Sequence, residues 1–122
     1  MKLQPDRSPQ QTVISLSPKG VLTSHGHAAQ FGALMTSEGY FEELAQANFA
    51  LTMTDQLNRL PLSTLEVLII GSGEKHQLFP PNWRNKLGHL SLGIESMSTP
   101  AACRTFNVLA LEGRKVGLWL KL

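Results

Sequence analysis

The chain predicts a single α/β domain, with a mixed central sheet, helices packed on it and an antiparallel hairpin portion at the N-terminal side. Three features predict it. Residues 65–122 run strand, helix, strand, helix, strand, an order that sets parallel strands side by side through right-handed crossovers. Residues 12–36 break instead into short apolar runs divided by turn residues, as hairpins do. Finally, 122 residues with 42% hydrophobic and 16% charged content supply one core without disulfides or metal.

The elements follow in order. Residues 1–11 (M-K-L-Q-P-D-R-S-P-Q-Q) are polar and proline-containing, which predicts a flexible tail ahead of a domain spanning 12–122. Thr12–Leu16 and Val21–Ser24 read as strands joined through the turn S-P-K-G. Gly32–Thr36 is a third strand, and the stretch from Ser24 to Phe31 is a loop or a further hairpin. Between Ser37 and Asn48, F-E-E-L-A-Q-A holds helix formers between Gly39 and Asn48, predicting a single helical turn.

Thr52 or Thr54 can cap a short helix through Leu60, with Asp55 placed well for the helix dipole and Pro61 as its stop. Leu65–Ile70 (L-E-V-L-I-I) is apolar enough for a strand buried on both faces, and Gly71-Ser72-Gly73 ends it. A helix from Pro81 to about Leu90 follows, with Trp83, Leu87 and Leu90 at helical spacing. Leu92–Met97 is the next strand. Thr99 then caps a helix with Pro100 at its first position and Gly113 at its end. Lys115–Leu122 closes the chain, alternating Val116, Leu118, Leu120 and Leu122 with Lys115, Gly117, Trp119 and Lys121.

Composition excludes several functions. The net charge is +2 and the basic residues are scattered, so no basic stripe with interleaved aromatics offers a nucleic-acid surface. The longest apolar run, Leu65–Ile70, is too short to span a bilayer, and the start lacks a secretory h-region. One cysteine precludes an internal disulfide and fits a reducing compartment. Those features together predict a cytoplasmic protein without membrane insertion.

Candidate sites cluster where strand C-termini meet helix N-termini. If the strands ending at Ile70 and Met97 are neighbours, Gly71-Ser72-Gly73 lies beside Thr99-Pro100-Ala101, and bared amides with a helix dipole could hold a small anion. The competing reading is of two tight connections satisfying each other's polar groups. Cys103 stands in the first turns of the helix beside Arg104, where dipole and cation both favour the thiolate. A nucleophile also needs a base, and His25, His27, His76 and His89 carry no signature placing one there.

Asn107 shares a helical face with Cys103 and, among Phe106, Val108 and Leu109, needs a partner for its amide: a neighbouring loop such as the Gly71–Gly73 turn or, as the alternative, a ligand. His25-Gly26-His27 has spacing that sets two imidazoles on one side of a strand, but no third metal ligand accompanies them. Trp83 with Phe79, Pro80 and Pro81 reads as a core lid or an apolar knob for a partner.

G-S-G at 71–73, L-F-P-P at 78–81, G-I-E-S-M at 93–97 and T-P-A-A-C-R-T-F-N-V-L at 99–109 together resemble the Mth938-like family, the domains of unknown function numbered 498. The resemblance runs from about Gly20 onward and is strongest over 65–122, whereas H-G-H-A-A-Q-F at 25–31 departs from the usual aromatic-containing stretch. It implies a three-layer α/β domain without an established activity or cofactor. The matching residues are Gly71, Gly73, Pro80, Pro81, Thr99, Ala102, Cys103, Arg104, Thr105 and Asn107, which implies a shared surface or pocket. A eukaryotic branch is similar to a mitochondrial assembly factor for respiratory complex I, a protein-binding chaperone. The expectation is therefore a non-enzymatic interaction domain linked to complex I subunits. A ligand or anion site at the Gly71–Gly73 and Thr99 corner is the alternative, and a thiol enzyme using Cys103 comes third.

Overall fold

The computed structural model describes residues 10–45, 53–75 and 92–122. Among the described residues, eight strands form two sheets: β1 (Val13–Ser17), β2 (Gly20–Thr23) and β3 (Ala28–Ala29) make one, in that order. The other has the order β5-β4-β8-β6-β7, from β4 (Gly32–Thr36), β5 (Phe41–Glu43), β6 (Val67–Gly71), β7 (Gly93–Met97) and β8 (Val116–Lys121). Helix α1 covers Met53–Leu57, a 3-10 turn Leu62–Thr64, and α2 Thr99–Leu111.

The last strand lies in the middle of the five. β8 pairs in parallel with β6 and antiparallel with β4, while β6 pairs in parallel with β7, so the sheet is mixed as predicted. Side-chain alternation then builds two cores. Val116, Leu118 and Leu120 join Ile69, Met35, Phe106 and Ala102 on the face covered by α2 and the three-stranded sheet. Trp119 points oppositely, among Leu34, Leu68, Ile70, Leu57 and Leu60. Its indole N–H donates to Gln56 Oε1 at 2.8 Å, which satisfies the polar end of a fully buried ring. Two glycines let the layers close up. A Cβ on Gly71 would stand 2.7 Å from Leu120 Cδ2 and 3.1 Å from Ala102 Cβ; one on Gly117 would stand 2.7 Å from Leu65 Cδ1.

Several expectations need correction, and one alternative left open is settled. Phe41–Glu43 is a strand, not a helical turn: it pairs antiparallel with β4, Met35 opposite Phe41. The helix formers there yield to the ladder, because the reversal at Thr36–Tyr40, with Gly39 at φ +118°, aims the chain back along an open edge. The stretch from Ser24 to Phe31 resolves as the further hairpin, β3 against β2. The helix expected through Leu60 stops at Leu57, and Arg59 and Leu60 bond back only three residues to Gln56 and Leu57. Thr54 lies inside α1, and Thr52 falls outside the described residues.

Gln11 belongs to the domain and not to a tail. It is wholly buried, and its Nε2 donates to the carbonyls of Thr36 (3.1 Å) and Tyr40 (2.9 Å). Its Oε1 accepts from Thr23 Oγ1 at 2.9 Å and lies 2.9 Å from His27 Nδ1, which must therefore carry a proton. One saturated amide thus ties three turns together. The helix expected from Pro81 to Leu90, with Trp83, and residues 1–9 lie outside the described residues.

Candidate functional site

β6 and β7 are parallel neighbours, so the loops after Ile70 and Met97 do meet. Their polar groups are spent on each other. Ser72 N–H and Oγ both donate to Met97 O (2.9 and 3.1 Å), and Thr99 N–H donates to Gly73 O at 2.6 Å. Thr99 Oγ1 accepts from Gly73 N–H at 2.9 Å and donates to Lys121 O at 2.6 Å. This corrects the expected cap: Ser98 occupies the N-cap without a side-chain bond, and Thr99 stitches three elements together instead. Gly71 offers no bared amide either, since it is the last residue of β6 and its missing side chain makes room for Leu120 and α2.

The hairpin of β1 and β2 folds over this corner and encloses a cleft of about 730 Å³. Ser72, Gly73, Thr99 and Pro100 line it from the corner and Leu16 and Pro18 from the hairpin, and Lys75 and Lys121 also line it. Sequence reasoning missed Leu16, Lys75 and Lys121. Lys121 was within reach of the strand-end rule, since β8 runs parallel to β6 and ends at the same side.

Cys103, Arg104 and Asn107 are not at that corner. They line a second cleft, of about 330 Å³, between α2 and the outer edge of β1, with Leu16 and Pro100 shared by both clefts. The described candidate residues other than Gly71 therefore divide between two adjoining clefts. Asn107 clamps β1 and not the Gly71–Gly73 turn: its Oδ1 accepts from Val13 N–H and its Nδ2 donates to Val13 O, both at 2.7 Å. The reach of 94 residues along the sequence hid that partner.

Cys103 reverses the electrostatic expectation. It is a buried free thiol, and burial pushes its pKa up to about 11, against the smaller lowering by Arg104. Such a thiol is a core residue rather than a ready nucleophile. α2 also lacks the N-terminal side-chain cap expected there, and it ends as predicted, in a glycine turn. Gly113 has φ +83°, with Gly113 N–H on Ala110 O and Arg114 N–H on Leu109 O, which are the two bonds of a Schellman motif.

His25 and His27 are exposed, their ring centroids 6.5 Å apart, and His27 stacks on Phe41 at 4.8 Å. Among the described residues no group of three or more His, Cys, Asp or Glu side chains could hold a metal ion. Pro80, Pro81, His76 and His89 lie outside the described residues. No described helix is long and apolar enough to cross a membrane.

A family model described as a protein of unknown function (DUF498/DUF598) matches residues 11–121. NADH dehydrogenase [ubiquinone] 1 alpha subcomplex assembly factor 3 of Bos taurus is 25% identical over 79 residues, covering 65% of this chain and 40% of the bovine protein. The 13 kDa major membrane protein of Francisella tularensis subsp. holarctica is 35% identical over 51 residues, 42% of each chain. This chain thus spans well under two thirds of these relatives. A crystal structure of a Bordetella parapertussis protein superposes with a TM-score of 0.80 at 26% identity, covering 94% of this chain and 98% of that one. A solution structure from Bordetella pertussis, described as a Mth938-like domain, gives 0.76 at 24% identity and 99% and 92% coverage.

Proposed function

The chain belongs to the DUF498/DUF598 family, and from that membership we propose that it is a non-enzymatic protein-interaction domain serving respiratory complex I assembly in the bacterial cytoplasm. The observation that carries this reading is the exposure of large apolar side chains on β1 and α2, the two elements that the Asn107 clamp joins. Ile14 on β1 and Val108 and Leu111 on α2 are 62%, 57% and 66% exposed. Apolar area removed from water contributes about 25 cal/mol per Å², so a partner covering these side chains gains affinity that no internal contact of the described residues supplies. The similarity to complex I assembly factor 3 supports complex I subunits as the partner class. The buried, protonated Cys103 supports the non-enzymatic half of the reading by weakening its thiol competitor.

The test is affinity purification of the full chain from its native host with mass spectrometry, paired with complex I levels in a deletion strain. Recovery of complex I subunits and reduced complex I support the proposal. Normal complex I with no such subunits recovered ends it.

A second reading draws on the 730 Å³ cleft, a volume suited to a small ligand. Phosphate titration followed by NMR separates it: shifts confined to residues 72–75 and 99–104 favour a ligand site, and a flat response rejects it.

A further inference from the structure

We infer that the outer edge of β1, where it faces α2, accepts an extended acidic segment of a partner protein as an added strand. This rests on the protein-interaction reading above and gives it a surface and a partner chemistry. β1 is an edge strand, and among the described residues it pairs only with β2. Asn107 already treats that edge as a strand would. Its carboxamide accepts from Val13 N–H and donates to Val13 O, reproducing the pair of bonds a neighbouring backbone makes at such a position.

Beyond Val13 the edge is open. Ser17 and Gly20 close the two-residue turn as a bonded pair, so Leu16, opposite Val21, turns its N–H and C=O outward. The irregularity between Val13 and Ser15 sets these two outward-facing residues three apart in the chain. Both adjoining clefts include Leu16 and Pro100, so an extended segment entering at Asn107 and running along the edge past Leu16 reaches the larger cleft. At about 3.3 Å per residue, four or five residues follow that path.

Charge selects the occupant. Arg104, Lys75 and Lys121 line this path against one acidic side chain, Glu74. The ion pairs among the described residues, Arg59 with Glu42 and Arg114 with Glu66, use none of them. A strand alternating acidic and aliphatic residues complements both the cations and the apolar Leu16 and Pro100. A second copy of β1 does not, because V-I-S-L-S carries no acid. A small anion could meet the cations but would leave the outward backbone groups of Leu16 unused.

The experiment selects random twelve-residue phage-displayed peptides on the full chain, then titrates the enriched peptide into the 15N-labelled protein. Expected are peptides enriched in acidic and aliphatic residues, slowed hydrogen exchange at the Leu16 amide on binding, and at least tenfold weaker binding to R104E/K121E. Arg104 is exposed and Lys121 half-buried, so an unperturbed spectrum of the variant is required to confirm its fold, and K75E, at an exposed position, provides a second charge reversal. The inference is overturned by no enrichment, by enriched peptides without acids, or by a Leu16 amide that exchanges as fast with peptide as without. Concentration-dependent protection of Leu16 without peptide would assign the edge to a second copy, and phosphate alone reproducing the shifts would assign it to an anion. If R104E/K121E still recovers complex I subunits from the host, this edge is wrong while the assembly reading stands. If no subunits are recovered but the peptide binds as described, the edge stands and the assembly reading falls.

Discussion

Replacing Asn107 with alanine tests the link between the two halves of the molecule. The clamp consists of two side-chain-to-backbone bonds of 2.7 Å, Val13 N–H to Oδ1 and Nδ2–H to Val13 O. Each such bond contributes a net of about 0.5–1.5 kcal/mol, giving about 1–3 kcal/mol for the pair. Alanine is the better helix former by roughly 0.6 kcal/mol in the middle of α2, which offsets part of the loss. The site is half-buried, so water replaces some of what is removed. A net destabilisation of about 1–2 kcal/mol follows, or roughly 4–8 °C in Tm for a domain of this size. Urea unfolding and calorimetry measure it. Hydrogen exchange localises it: the Val13 amide should lose protection while those of β6 and β8 keep theirs. Asn107→Asp separates the two bonds, keeping the acceptor for Val13 N–H but setting a carboxylate against Val13 O, and should cost at least as much as alanine. An Asn107→Ala protein as stable as the parent, with Val13 exchange unchanged, would refute the clamp.

Three further outcomes are expected. Cys103 should alkylate far more slowly than an unfolded-peptide thiol at pH 8, because its folded pKa stands near 11 while the unfolded value is 9.0. By linkage the unfolded chain releases that proton first, so the thiol's contribution to stability is complete below pH 9.0 and is lost as pH rises toward about 11. Unfolding curves at pH 8 and pH 10.5 compared with those of Cys103→Ala measure this, and a parent-minus-variant difference that does not change with pH counts against it. Gly71→Ala should destabilise by about 1–3 kcal/mol, as overpacking does, because its Cβ also meets the Thr99 backbone at 3.2 Å. Gly117→Ala should cost less, since the ends of Leu65, Leu68 and Leu60 can swing aside; equal Tm losses for the two would contradict this. Gln11→Ala should cost about 2 kcal/mol or more by orphaning buried partners, with exchange loss at the turns around Thr23 and Tyr40, and a neutral effect would show that Gln11 is not the tie described.

Local chemistry made much of this molecule readable. Gly32–Thr36 is a strand with the bounds its apolar run predicts, and Gly113 supplies the φ of +83° that a helix end needs. The meeting of the 71–73 and 99–101 loops was also legible, since it requires only that two parallel strands be adjacent. Other features depended on residues distant in sequence. Phe41–Glu43 has helix formers, and only the waiting edge of β4 makes it a strand. Cys103 looks activated beside Arg104, and only the packing above it raises its pKa. The candidate site divides in two because β1 lies against α2, a placement that nothing in either segment announces.

By itself, then, the sequence determined the alternating apolar periods, the turns and the helix stop, because these follow from φ/ψ preferences and side-chain spacing within a few residues. Tertiary structure alone decided that the final strand lies between β4 and β6, so that Trp119 and Leu118 bury on opposite faces. It also decided that Asn107 and Gln11 hold segments distant from them in the chain, Val13 for Asn107 and the Thr36 and Tyr40 carbonyls for Gln11. A hydrogen-bonding group's partner is set by which backbone arrives within about 3 Å, and that distance exists only once the chain has folded.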